Sequence, residues 1–238
     1  MVLFADDTSI TITDSNKPDF NININQTFQD NCCQKFITNA TEIKFLGLVI
    51  DDSLSWKQHV EQVASKMCTA CYMLRNIKHI VPLDTLRIIY FAHIHSIISY
   101  GIIVWGSSCY ANKVFILQKK IIRIITNIKS RDSYREVFKN MEIMTLYSQY
   151  IYSLILHTVN NTSKYLFNTN NEIHKYRTRY NNNLHLPIVN LSKFNKGAYI
   201  SGVIPQYIKA LANDQKCFKS TLKRFLYHHS FYSMDEYY

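Results

Sequence analysis

The sequence predicts an α+β fold that is mostly α. Three observations predict it. Short apolar runs near the start alternate with polar residues at period 2, and from about residue 56 the apolar period lengthens to 3.6. Hydrophobic residues make up 47% of the 238, enough for a sizeable buried core and too many for a disordered chain. The formal net charge of +10 says nothing about fold, but it favours a polyanionic partner, either nucleic acid or an anionic membrane surface.

Residues 2–13 read as a hairpin. Val2, Leu3 and Phe4 form an apolar run, Ala5-Asp6-Asp7-Thr8 a polar turn, and Ile10 and Ile12 alternate with Ser9, Thr11 and Thr13. Residues 14–31 are polar and Asn-rich, a loop or weak helix. Residues 42–50 read as one buried strand kinked at Gly47 and ended by Asp51-Asp52-Ser53. Ser55 and Gln58 have capping-box spacing. Trp56, Val60, Val63, Met67, Cys71, Leu74 and Ile77 then fall on one helical face. Pro82 opens a second helix, with Leu86, Ile89, Tyr90, His93, Ile94 and Ile97 as its stripe. Gly101 and Gly106 bracket the apolar run 102–105. A helix is expected over 112–125 with Val114, Leu117, Ile121, Ile124 and Ile125 inward, and others over 134–140 and 145–159. Residues 160–195 read as an Asn-rich connector holding His174, Lys175, Arg177 and Arg179. The amphipathic pattern returns over 205–228. Three regions follow: 1–52, 53–159 and 160–238.

Six cysteines show no disulfide-framework spacing, and no secretory signal opens the chain. Free thiols in a reducing, intracellular setting are the simpler expectation. The most apolar stretch, 86–105, carries Arg87, His93, His95 and Gly101, so it reads as a buried helix rather than a membrane span.

Asp6 and Asp7 are the main candidates for chemistry. Neighbouring carboxylates in an apolar hairpin are costly unless neutralised, and Mg²⁺ suits one or two carboxylates plus phosphate oxygens. A solvated Asp-Asp turn is the plainer reading of the dipeptide. Between Lys113 and Lys139 eight basic residues face two acids, Asp132 and Glu136. Lys119, Lys120, Arg123, Lys129 and Arg131 are the candidate nucleic-acid contacts, through salt-sensitive phosphate binding. The other reading is a solvated face whose Lys and Arg stems cover apolar surface. Cys68-Thr69-Ala70-Cys71 has half a zinc site's spacing, but Cys71 lies on the apolar stripe, which favours a core thiol. His93 is expected in the core and His95 in solvent. Trp56 and Trp105 are expected to pack in the core rather than stack on bases.

An ordered series of blocks resembles the reverse transcriptases of non-LTR retrotransposons, of the LINE-like, jockey type. Phe4-Ala5-Asp6-Asp7-Thr8 resembles the aromatic-x-Asp-Asp box. Lys44-Phe45-Leu46-Gly47 resembles the Phe-Leu-Gly strand that supports the primer end. Leu54-Ser55-Trp56-Lys57-Gln58-His59-Val60 resembles the segment that opens the thumb. Tyr90, Tyr100-Gly101 and Trp105-Gly106 match the Tyr…Tyr-Gly…Trp-Gly run, and Gln118-Lys119-Lys120-Ile121-Ile122-Arg123 matches the Gln-Lys helix after it. Residues 218–226 and 230–237 resemble the terminal segment.

The resemblance implies a polymerase palm remnant over 1–52, a helical thumb-like domain over 53–159 and a helical C-terminal region. It implies RNA-directed DNA polymerisation, a nucleotidyl transfer, with Asp6 and Asp7 as catalytic and metal-binding residues and Mg²⁺ as cofactor. Phe45, Leu46 and Gly47 would form a primer grip, and an RNA or DNA primer–template would be the partner. In the family the fingers and another metal-binding Asp precede the Asp-Asp box. Those segments have no counterpart in this sequence, so the fragment is expected to be inactive alone. A non-catalytic basic nucleic-acid-binding module is the alternative.

Overall fold

The computed structural model describes residues 2–3, 8–9, 41–128, 133–161, 208 and 214–237. These are mostly helical, with two short antiparallel hairpins. They belong to two compact units, Met1–Ser55 and Trp56–Tyr238.

In the first unit β1 (Val2–Leu3) pairs with β2 (Thr8–Ser9), Val2 opposite Ser9 and Leu3 opposite Thr8. The expected antiparallel pairing is present in these four residues, with Thr8, expected in the turn, as a strand residue. Ile10 and Ile12 lie outside the described residues.

β3 (Glu42–Phe45) pairs with β4 (Leu48–Asp51), from Glu42 opposite Asp51 to Phe45 opposite Leu48. This corrects the single kinked strand expected over 42–50. Leu46 and Gly47 both take positive φ, 47° and 78°, the geometry of a two-residue hairpin turn whose twist matches its strands. Glycine adopts it freely and Leu46 at some cost. The expectation of burial is corrected as well. Ile43 is 59% exposed and Leu46 63%, while Val49 is the buried member of the hairpin.

The expected capping box does not form. The Asp51 carboxylate holds Ser55 instead, accepting from its Oγ at 2.6 Å and its backbone N–H at 2.8 Å, and from Ser53 Oγ at 2.6 Å. Trp56, in the left-handed region, is the N-cap of the following helix and offers it no side-chain cap.

The second unit is helical. It comprises α1 (Lys57–Ile77), α2 (Leu83–Ile89), a π-helical turn (Tyr90–His95), α3 (Ser96–Ser99), α4 (Ile102–Trp105), α5 (Ala111–Thr126), α6 (Tyr134–Asn140), α7 (Leu146–Asn161) and α8 (Gln215–His229). The apolar stretch 86–105 is therefore broken, with Gly101 at φ 60° turning the chain. No helix among the described residues is long and apolar enough to cross a membrane.

One core serves all of these elements. It includes Val60, Met67 and Leu74 of α1, Tyr90 and Ile94 of the π turn, Trp105, Phe115, Ile121 and Ile122, Phe138, and Ile151 and Ile155 of α7. Phe218, Leu222 and Leu226 of α8 join it, as does Phe231 beyond. The helical core thus crosses the division expected at residue 160.

Three contacts explain the sequence of this unit. A Cβ on Gly106 would stand 2.5 Å from the Tyr150 ring, so Trp-Gly allows α7 to close on α4. The Trp105 indole donates to Tyr100 O at 2.9 Å, tying the Tyr-Gly and Trp-Gly dipeptides together. Gln118, 1% exposed, is the third. Its Nε2 donates to Tyr90 Oη at 2.8 Å and to Met144 O at 2.9 Å, and its Oε1 accepts from Leu146 N at 2.9 Å. The inward face of α5 is rotated to suit. Val114, Phe115, Gln118, Ile121, Ile122 and Ile125 are buried, whereas the expected Leu117 and Ile124 are half-buried.

Removing the Gln118 amide leaves the Leu146 N–H and the Met144 carbonyl unsatisfied in the core. Gln118→Ala is expected to destabilise the protein by about 3 kcal/mol, the cost of orphaned buried polar groups plus a small cavity. Urea denaturation followed by circular dichroism measures it. An unchanged midpoint would show that the network carries no stability.

Candidate nucleic-acid interface

Helix α5 presents its basic residues in two directions, because successive residues on a helix point about 100° apart. Lys119 is half-buried and turns toward aromatic rings. Its ammonium lies 4.6 Å from the Phe115 ring centroid and 5.6 Å from that of Tyr232. Arg135 covers Tyr232 as well, at 4.7 Å, and its guanidinium pairs with Glu236 at 2.6 Å. Burial, opposed by Arg135 and assisted by Glu236, pushes the Tyr232 hydroxyl up to about 12. The ring therefore stays neutral at ordinary pH and serves both cations as a π face. Arg123 bonds Tyr134 Oη at 2.6 Å and stacks over that ring.

Lys120 points the other way. With Lys113, Ile116 and Leu117 of α5 it lines one wall of an open groove of about 390 Å³, and Glu61, Ala64, Ser65 and Cys68 of α1 form the other. Lys113 and Lys120 are two turns apart, about 10 Å along the axis. Glu61 is the acid of the groove. Two exposed ammonium groups beside a shallow apolar floor can bind phosphates by charge alone, without reading a sequence.

Of the sequence-derived candidates, Lys119, Lys120 and Arg123 are therefore on one helix. Lys119 and Arg123 engage aromatic partners and Lys120 faces the groove. Lys129 and Arg131 lie outside the described residues. So do Asp6 and Asp7, although the strands on either side of their segment pair with each other. Phe45, Leu46 and Gly47 stand together at the end of the β3–β4 hairpin, Phe45 half-buried and the other two exposed. Among the described residues no group of His, Cys, Asp and Glu could hold a metal ion. Cys71 is buried and Cys68 exposed, as a core thiol on the apolar stripe requires. Burial, reinforced by Cys68, pushes the Cys71 thiol up, against Arg75 and Lys120.

The two histidines of the apolar stretch are reversed from expectation. His93 is exposed, and His95 is half-buried within 3.3 Å of Gln149 Oε1. The π turn is the reason. Its i→i+5 bonding widens the turn, so buried positions recur at Leu86, Tyr90, Ile94, Ile98 and Ile102, four apart, and the i+3 position of His93 rotates outward. Trp105 is fully buried and Trp56 half-buried. Sequence reasoning missed the terminal clasp, in which Thr145 Oγ1 donates to Phe231 O at 2.6 Å and Glu236 accepts from Tyr232 N at 2.9 Å. The aromatic density of 225–237 was its signal.

Comparison of the chain with protein-family models, with curated proteins and with solved structures finds no match.

Three histidines make stability depend on pH. Burial lowers His59, with Lys66 adding to the effect. Burial lowers His95, opposed by its Gln149 bond and assisted by Lys223. Burial and His228 lower His229. The folded chain disfavours protonation of these rings, while the unfolded chain takes up their protons near the ordinary value of 6.5. Their contribution is present in full above that value and is lost as pH falls through the depressed folded values. The melting temperature is expected to be lower at about pH 5.5 than at about pH 7.5, and the difference to shrink in His95→Gln. Identical melting curves at the two pH values would contradict this.

Proposed function

We propose that this chain is part of the reverse transcriptase of a non-LTR retrotransposon, and that its helical unit contributes a thumb-like nucleic-acid-binding surface. The observation that carries the reading is the ordered series of blocks from Phe4-Ala5-Asp6-Asp7 to the terminal aromatic segment. Its support in the fold is that members of those blocks meet one another. Tyr90 bonds Gln118, and Trp105 bonds Tyr100. In this reading Asp6 and Asp7 would hold Mg²⁺, which would supply charge neutralisation at the primer hydroxyl and the departing pyrophosphate. Phe45, Leu46 and Gly47 support the primer end.

In the family the reaction needs a further carboxylate from a strand earlier than the Asp-Asp box, and none of the blocks above matches that strand. Without it positioning and charge neutralisation are both incomplete. The chain alone is therefore expected not to extend a primer on an RNA template in the presence of Mg²⁺. Extension by the chain alone that disappears in Asp6→Ala would overturn that expectation and place the complete catalytic centre within these residues.

The second reading, a non-catalytic nucleic-acid-binding module, is favoured by the exposed Lys113 and Lys120 of the α1–α5 groove. Filter binding to a structured RNA tests the part common to both readings. Binding is expected to weaken steeply as salt rises from about 50 to about 200 mM, through release of counterions from the phosphates. Salt-independent binding, or none at low salt, would remove both.

A further inference from the structure

Helix α8 has an outer face that the reading of α5 leaves unused. Between Gln215 and His229 it carries Lys216, Lys219, Lys223 and Arg224 and no Asp or Glu. The helix is firmly placed. Asp214 caps its first turn by accepting from Lys216 N and Cys217 N, and Phe218, Leu222 and Leu226 are buried in the core. Lys216, Lys223 and Arg224 are exposed and Lys219 half-buried. Lys216, Lys219 and Lys223 follow at intervals of three and four, so they form one stripe about 10 Å long. Among the described residues the ion pairs are Arg87–Glu142 and Arg135–Glu236, so Lys216, Lys219 and Arg224 have no such acid partner. The Lys223 ammonium stands 5.6 Å from the ring centroid of Tyr152 on α7, which sets an aromatic face beside the stripe.

We infer that this face of α8, with Tyr152 beside it, is a second binding surface for the phosphate backbone of single-stranded nucleic acid. The inference rests on the nucleic-acid-binding reading above and adds a site to it. Phosphate contacts ask only for accessible positive charge, which the stripe supplies. The occupant is a single strand, whose unstacked bases can reach the part of the half-buried Tyr152 ring that Lys223 leaves open, whereas the bases of a duplex cannot. An anionic bilayer is the other polyanion that selects basic helices. A helix binds there by burying its apolar face at the headgroup boundary. The apolar face of α8 is already committed to the core, which leaves the charges alone for a ligand.

The test is fluorescence anisotropy of a labelled oligouridylate of about 20 nucleotides with the full chain, titrated from about 50 to about 300 mM salt. The triple variant Lys216→Ala, Lys219→Ala, Arg224→Ala keeps Lys223 on Tyr152 and alters no core residue. Its circular dichroism is expected to match that of the parent. Its affinity at low salt is expected to fall about 10-fold or more, and its log–log salt slope to shrink by about 2, since each backbone contact on a single strand contributes about 0.7. Lys120→Ala, in the α1–α5 groove, is expected to shrink the slope by about 0.7 on its own and additively with the triple variant. Parental affinity and slope in the triple variant, with the parent binding, would overturn the α8 surface and leave the proposed function standing. No binding by the parent at low salt would overturn both. Phosphatidylserine vesicles are the remaining arm. Loss of vesicle binding in the triple variant, with oligouridylate binding retained, would give the surface to a membrane and overturn the inference.

Discussion

The Gln118 amide sits where three stretches of chain meet, and each of its polar atoms is used. Its nitrogen serves the Tyr90 hydroxyl and the Met144 carbonyl, and its oxygen receives the Leu146 N–H. A primary amide buried in a core of Ile, Leu and Phe is stable only when fully bonded, because each orphaned group there keeps its desolvation cost. That constraint fixes the rotation of α5 against the π turn and starts α7 at a set point. Burial raises the Tyr90 hydroxyl, so it remains a protonated phenol and a steady partner for the amide. The other features of the helical unit follow from this arrangement. With α5 turned so that Phe115, Ile121 and Ile122 face inward, Lys119 is carried toward Tyr232 and Lys120 toward the groove.

Helices were legible in the sequence wherever polar and apolar faces were cleanly divided. The span 134–140 is observed at the bounds expected, and 112–125 and 145–159 each differ by one or two residues at their ends. Phase was harder to read than period. On α5 the expected inward stripe included Leu117 and Ile124 and left out the polar Gln118, which is buried. Burial of a side chain that bonds three backbone and hydroxyl groups cannot be deduced from periodicity, since its partners lie 26 to 28 residues away in the chain. The π turn was invisible for a related reason. No residue type marks it, and its signature is a spacing of four sustained from Leu86 to Ile102, which an α-helical stripe also permits for a turn or two.

The strand region shows the opposite failure. Apolar residues from Ile43 to Ile50 read as a buried strand, and Gly47 as a kink within it. The chain instead reverses at Leu46-Gly47, and the pairing of Phe45 with Leu48 leaves Ile43 and Leu46 in solvent. Hydrophobicity alone does not separate one long strand from two short ones. The candidate site was legible in part. Charge density located α5 correctly as a basic helix, but not which cations would be taken up by Phe115, Tyr134 and Tyr232. Those rings come from three separate stretches of the sequence.

The terminal clasp joins residues that are far apart along the chain. Thr145 holds the carbonyl of Phe231, Arg135 pairs with Glu236, and Tyr237 packs on Phe231. On the ribosome, α1 to α7 would emerge with their Phe138 and Phe115 surface still lacking Tyr232, and α8 would arrive some fifty residues later. Local helix contacts form quickly, whereas closing a loop of that length is slow and leaves apolar surface open meanwhile. Synthesis therefore delivers a unit that stays unfinished until residues 230–237 are free, with aromatic surface open in the interval.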